Sequence, residues 1–232
     1  MKKILLTSFI IFAGVGLGAC QTIKTTGAVA QVALTPTNVQ SVNWKIILPP
    51  PPDNETEIGK VIEAQGNHSG ERWNQAEFDN KFEPFAMYQQ VLGKDFTAQN
   101  NPELAAVFTY ALKYHLKLSG DAKKTYDRVR PLYYDKKNVV FCAKGDEPYG
   151  SSYPSGHSAW GWETAMILAR VYPNKSDEII ARGREYGESR VVCGAHYPSD
   201  VNLGRVTGDV IFTRLQNDKD FRELMAKVKI QN

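Results

Sequence analysis

Basic runs are missing from this sequence. No stretch of lysine and arginine exceeds two or three residues, and 28 basic against 25 acidic residues leave a net charge of +3. A concentrated basic stripe is the footprint of a nucleic-acid binder, so no nucleic-acid partner is expected. Period-2 alternation of apolar and polar residues is nearly absent, which argues against sheets. No tight group of carboxylates, or of cysteine with histidine, stands at a metal-ligand spacing. Beyond the N-terminus no apolar run is long enough to span a bilayer. No internal repeat occurs. What is present is an ordinary globular composition, with 42% hydrophobic and 23% charged residues.

The N-terminus, MKKILLTSFIIFAGVGLGAC, has two lysines and then an apolar run from Ile4 to Ala19. The run is short for a membrane anchor and ends in small residues, as a bacterial export signal does. Residues 1–19 are therefore read as a signal peptide. Roughly 200 residues remain, enough for one well-cored domain. Export implies an oxidising compartment, where an odd cysteine needs explaining, and the chain has 3. Cys20 follows Leu17-Gly18-Ala19, which resembles a lipobox, so Cys20 is the expected lipid attachment point. Cleavage after Ala30 is the alternative. The expected location is the periplasm, with a lipid tether to the outer membrane. Cys142 and Cys193 are then left to pair; closing a loop of about 50 residues stabilises a fold by roughly 4 kcal/mol in the chain-entropy model.

Residues 20–43 are rich in Thr, Ala, Gln and Val with no sustained period, and read as a flexible tether. Pro49 to Pro52 cannot form a helix interior, and they open a domain taken as 44–232. From there the pattern is helical. NNPELAAVFTYALKYHLKLSG has Asn101 as N-cap, Pro102 in the first turn and one apolar face, and Gly120 is expected to stop it. SAWGWETAMILARV is apolar nearly all round, as a central helix would be. SDEIIARGREYGESR begins with Ser176 as cap. In PSDVNLGRVTGDVIFTRL, Gly204 and Gly208 lie one turn apart and would let another helix approach closely. DKDFRELMAKVKI closes the chain as an amphipathic helix. The expected fold is all-α.

Three short segments carry chemistry. In KKTYDRVRP, Lys123 and Arg130 are seven apart; on a helix they would share a face about 10 Å apart along the axis, with Pro131 ending the element. Taken alone, such a pair reads as two solvated cations. In PSGH, Gly156 lets backbone approach a ligand, and a helix starting near Ser158 offers N–H groups to an anion. Ser155 adds a hydroxyl, and His157 stands where it could give a proton. In ESRVVCGAHYPSD, Arg190 is a fork donor suited to two phosphate oxygens. His196 precedes a helix whose first turn contains Asp200, close enough to fix the imidazole tautomer and free the other nitrogen to attack.

The order K-x6-R-P, P-S-G-H, S-R-x5-H-x3-D resembles the three-part signature of the type 2 phosphatidic acid phosphatase superfamily, which includes vanadium haloperoxidases. Within it the chain is most similar to the bacterial class A non-specific acid phosphatases. The likeness covers about residues 45 to 230, including LPPPP, GSSYPSGHSAWGWETAMILA and RGREYGESRVVCGAHYPSDV. It implies a single-domain helical bundle that hydrolyses phosphate monoesters without a metal or other cofactor. His196 would be the nucleophile, forming a phosphohistidine, and Asp200 would orient it. His157 would protonate the leaving alcohol and then activate water. Lys123, Arg130, Arg190, Ser155 and the Gly156 N–H would hold the phosphoryl oxygens. A neutral nucleophile beside a protonated acid predicts a bell-shaped, acidic pH–rate profile. Phosphotransfer to alcohols and a homo-oligomer are also implied. His68 and His115 lie outside the signature and read as packing or surface residues. Three alternatives stay open: a vanadium haloperoxidase, although those proteins are usually much larger; a lipid phosphatase, although its integral-membrane relatives carry several spans; and a non-catalytic phosphate-binding lipoprotein, which would not need a complete His-His-Asp set.

Overall fold

Four consecutive prolines, Pro49 to Pro52, run without regular structure, and the chain beyond them is helical. The structure, a computed structural model, describes residues 36, 39–67 and 69–231. The expected signal peptide, Cys20, the greater part of the tether and His68 lie outside the described residues.

Ten α-helices and no strands occur among the described residues. Four come early: α1 (Trp44–Ile47), α2 (Asn54–Gly66), α3 (Gly70–Phe78) and α4 (Pro84–Leu92). The long α5 (Pro102–Lys123) and the single-turn α6 (Pro131–Tyr134) come next. The remainder are α7 (Gly156–Val171), α8 (Ser176–Val192), α9 (Pro198–Asn217) and α10 (Lys219–Met225). The domain is the all-α bundle that the periodicity predicts. No described helix is long and apolar enough to cross a membrane.

The α7 segment is central because it is apolar on every side. Ala159, Trp160, Ala165, Ile167 and Leu168 are all buried, and α7 packs chiefly against α8 and α9. The α7–α9 contact is close because α9 presents glycines there. A Cβ on Gly204 would stand 2.6 Å from the Ser155 carbonyl oxygen, and one on Gly208 would stand 2.7 Å from that of Ala159. The main core gathers α4, α5, α7, α8, α9 and α10 around Tyr88, Phe108, Leu118, Trp160, Tyr186 and Phe221. A second cluster joins Val61 of α2 to Val139, Phe141 and the turn between α8 and α9. Cys142 and Cys193 form a disulfide in that cluster.

Two expectations about α5 need correction. Gly120 does not stop it; the helix runs on to Lys123. Leu118 and Ala122, on either side of that glycine, are fully buried, and their burial offsets the roughly 1 kcal/mol that glycine costs a helix. Lys123 and Arg130 also do not share a helix. Lys123 is the last residue of α5, the chain then turns without helix, and Arg130 is the N-cap of α6. Pro131 therefore opens an element rather than ending one, in the first-turn position where a missing N–H costs nothing. Smaller shifts occur at helix starts. Lys175, not Ser176, caps α8, and α7 begins at Gly156 rather than near Ser158.

Candidate active site

The N-terminal end of α7, the C-terminal end of α5, the start of α6 and the α8–α9 turn meet at a cavity of about 560 Å³. Lys123, Arg130, Gly156, His157, Arg190 and His196 all line it. Asp200 is fully buried and stands behind His196. Ser155 is also fully buried. It is the N-cap of α7, and its hydroxyl accepts the Ser158 N–H at 3.2 Å.

Backbone carbonyls from the loop that precedes α7 fix two of the cations. Lys123 Nζ donates to Ser151 O at 2.9 Å and Pro154 O at 2.8 Å. Arg130 donates to Gly150 O and Tyr149 O, both at 3.1 Å, and to Ser151 O at 3.2 Å. Its Nη1 also reaches Ala195 O at 3.1 Å. Arg190 is different. Its Nη2 donates to Asn80 Oδ1 at 2.9 Å, but its buried Nε and Nη1 meet no partner among the described residues. A buried guanidinium edge with unpaired donors is suited to receive the oxygens of an anion.

The same three cations act on the histidines. Burial first, then Arg130, Lys123 and Arg190, hold His196 well below its usual range. Burial first, then Arg190, His196 and Arg130, do the same to His157, opposed by its bond to Asn80. Lys123 itself is lowered to about 7 by burial and by Arg130, against the pull of Asp200. Both imidazoles are therefore neutral in the free protein.

Each imidazole's tautomer is set by what its nitrogens touch. Arg130 Nη1 lies 3.1 Å from His196 Nε2. A guanidinium can only donate, so Nε2 presents its lone pair. The proton is on Nδ1, which faces Asp200 Oδ2 at 3.5 Å and Ser152 Oγ at 3.4 Å. In His157, Nε2 lies 2.9 Å from the Asn80 carbonyl oxygen. A carbonyl can only accept, so Nε2 carries the proton and Nδ1 is the open position. Its ring packs edge-on to Phe82 at 4.2 Å.

The Asp200 carboxylate is held from all sides. Its Oδ2 accepts from Ser152 Oγ at 2.6 Å and from the Tyr197 N–H at 2.9 Å. Its Oδ1 accepts from Arg128 Nη1 at 2.6 Å. Arg128, buried over the Tyr197 ring, also donates to Glu57 at 2.9 Å and to Pro52 O at 2.8 Å. Ser199 bonds Glu57 with both its N–H and its hydroxyl. Sequence reasoning misses Arg128, Glu57, Ser152 and Asn80. Arg128 lies inside K-x6-R, where a third cation could have been suspected. Asn80 offers no pattern at all, yet it touches both His157 and Arg190. Its neighbour Asp79 is fastened by Arg182 and by Ser189, whose hydroxyl donates at 2.5 Å.

Among the described residues, no group of three or more His, Cys, Asp or Glu is placed to hold a metal ion. The arrangement can take an oxyanion between three cations, against a helix N-terminus and beside an imidazole lone pair.

Fold and site together define an α-helical protein with a cavity lined by His157, His196 and three cationic side chains, and comparison with known proteins narrows the class. The PAP2 superfamily model matches residues 102–219, a span that contains all three signature segments. The non-specific acid phosphatase of Salmonella typhimurium is 35% identical over 206 residues, covering 82% of this chain and 80% of that protein. That of Providencia stuartii is 30% identical over 208 residues, 83% of this chain and 82% of its own. In fold, the crystal structure of LpxE from Aquifex aeolicus superposes with a TM-score of 0.50 at 15% identity, over 70% of this chain and 96% of that one. The chain belongs to the PAP2 superfamily.

Proposed function

We propose that this protein is an acid phosphatase that hydrolyses phosphate monoesters through a phosphohistidine, without a metal. The observation that carries the proposal is the pairing, in one cavity, of the His196 Nε2 lone pair with the unpartnered donors of Arg190. The Nε2 lone pair attacks phosphorus, a P–N bond forms and the P–O bond to the alcohol breaks. His157, protonated in the substrate complex, gives its proton to the leaving oxygen. Water then attacks phosphorus, His157 takes a proton from it, the P–N bond breaks and inorganic phosphate leaves. An alcohol in place of that water would give phosphotransfer. Lys123, Arg130 and Arg190 neutralise the charge that spreads over the equatorial oxygens, the task that metals perform in other phosphatases. Asp200 keeps the Nδ1 proton in place, and so keeps Nε2 unprotonated.

The test is a panel of p-nitrophenyl phosphate, nucleotides, sugar phosphates and a lipid phosphate, assayed with EDTA across a range of pH, together with alkaline-quench trapping of labelled enzyme. Turnover that survives EDTA and an acid-labile, base-stable phosphoenzyme are expected. His196→Ala should abolish both while inorganic phosphate still binds. Normal turnover by that variant would refute the assignment of the nucleophile.

The domain is further proposed to work outside the cytoplasm, tethered through a lipid on Cys20. The disulfide supports this, because such bonds persist in oxidising compartments. Labelled palmitate should be incorporated by the full chain and not by Cys20→Ala; equal labelling of both would end the idea.

A further inference from the structure

The same cavity is lined by a histidine, His115, that the phosphoryl chemistry above does not use. On α5, His115, Ser119 and Lys123 occur at four-residue spacing, so they stack on one face. All three line the cavity, with Leu116 and Gly120 beside them. Lys123 stands at the phosphate end. At 1.5 Å per residue, His115 lies roughly 12 Å further along the helix, about the length of a sugar or nucleoside leaving group.

His115 is 1% exposed and Glu163, on α7, is fully buried. Their side chains meet at 3.0 Å, from Nδ1 to Oε2. Burial first, then the charge of Lys123, pushes His115 down to about 3, and burial pushes Glu163 well above the usual carboxylate range. Both groups are therefore neutral. Glu163 Oε1 has no partner among the described residues; with the carboxyl proton assigned to Oε2, that O–H donates to Nδ1 and the imidazole N–H is on Nε2. That N–H is buried and has no partner among the described residues. Trp160 and Phe82, whose ring centroids lie 5.4 and 6.1 Å from that of His115, offer no acceptor oxygen. A buried donor left open in a cavity wall is a place for a ligand oxygen. At the mouth of the cavity Leu116, 57% exposed, and Tyr149, 91% exposed, give such a ligand apolar surface to lie against, beside the exposed carboxylates of Asp146 and Glu147.

We propose that His115, its tautomer set by Glu163, is a specificity-determining residue whose Nε2–H hydrogen-bonds a hydroxyl oxygen on the leaving group. The site would then favour phosphate esters of polyhydroxylated alcohols, such as sugars and nucleosides, over bare aryl esters. This rests on the phosphatase reading above. Sites built to bond a substrate hydroxyl discriminate strongly against analogues that lack it.

The test is the ratio of kcat/KM for glucose 6-phosphate to that for phenyl phosphate, measured on the purified protein and its variants. His115→Phe should lower the ratio about tenfold or more. Glu163→Gln supplies an amide N–H to Nδ1 in place of the carboxyl O–H, so its ratio should stay close to the parent's. Glu163→Leu removes that donor and should lower the ratio as His115→Phe does. An unchanged ratio in His115→Phe, or a ratio in Glu163→Gln as low as in Glu163→Leu, overturns the proposal. A parent protein that hydrolyses neither ester overturns the phosphatase reading instead, and this inference with it.

Discussion

Charge inside the pocket decides what each residue can do. In the free protein His157 is kept neutral by burial and by the nearby cations, yet the proposed first step needs it protonated. A bound phosphate ester sets negative charge among those cations and raises the imidazole back toward its usual range. This fixes the sign of the pH dependence. In the free enzyme the protonated fraction of His157 is lost at low pH, so kcat/KM falls early as pH rises. In the complex the proton is held longer, so the alkaline limb of kcat lies at higher pH than that of kcat/KM. Initial rates with p-nitrophenyl phosphate from acid to neutral pH measure both limbs, and coincident limbs would remove His157 from the acid role. Arg128 poses a different residue-scale question, because it pairs with two buried carboxylates, Asp200 and Glu57. Removing one partner of a buried pair leaves uncompensated charge. Arg128→Met should therefore cost about 3–5 kcal/mol in urea denaturation, with Glu57→Gln costing less because the amide keeps some of its hydrogen bonds. A parent-like midpoint for Arg128→Met would mean that the network is incidental to stability.

Helices rather than single side chains bring the three signature segments together, and glycine shows how. The turn that carries Ser155 and Gly156 sits against α9, at the position where Gly204 has no side chain. Gly204→Ala would force that turn to move, since the added Cβ would lie 2.6 Å from Ser155 O and 2.8 Å from Ser158 Cβ. Backbone cannot yield as the tip of a long side chain can. The variant should lose stability, by about 1–3 kcal/mol as overpacking costs, and lose phosphatase activity with it. Gly59 lies within α2, exposed, with nothing within 4 Å of its would-be Cβ. Gly59→Ala should stabilise the fold by about 0.5–1 kcal/mol through helix propensity alone. The same chemical change thus has opposite signs on two helices, and thermal melts of the two variants check it. Stabilisation by Gly204→Ala would show that α9 does not press on the turn.

At the scale of the molecule, sequence is legible wherever near neighbours set the structure. The apolar α7, the glycine spacing of α9 and the three signature segments are visible for that reason, whereas the disulfide is legible by elimination, once Cys20 is set aside. A single helix across Lys123 and Arg130 is the wrong reading, because a spacing of seven fits two turns of helix and also a helix end with a loop after it. Glu57 and Asn80 are invisible, and the role of Arg128 is hidden, because their partners are fixed only by packing; Glu57 lies 142 residues from Ser199, and Arg128 lies 72 from Asp200. The disulfide acts at this same scale. Cys142 and Cys193 are 51 residues apart in sequence, and the Cys142 N–H bonds the Cys193 carbonyl at 3.2 Å. The bond ties the segment leading into the 149–154 loop, whose carbonyls hold Lys123 and Arg130, to the turn that carries His196. Reduction should therefore act twice. It should lower stability by roughly 4 kcal/mol, as a loop of that length predicts in the chain-entropy model. It should also loosen the cation cage, so that phosphate affinity falls at temperatures well below unfolding. Urea titrations and phosphate binding, each with and without dithiothreitol, separate the two effects. A reduced protein that keeps its midpoint would discard the stapling role, and one that keeps full phosphate affinity would show that the cage holds itself together without the bond.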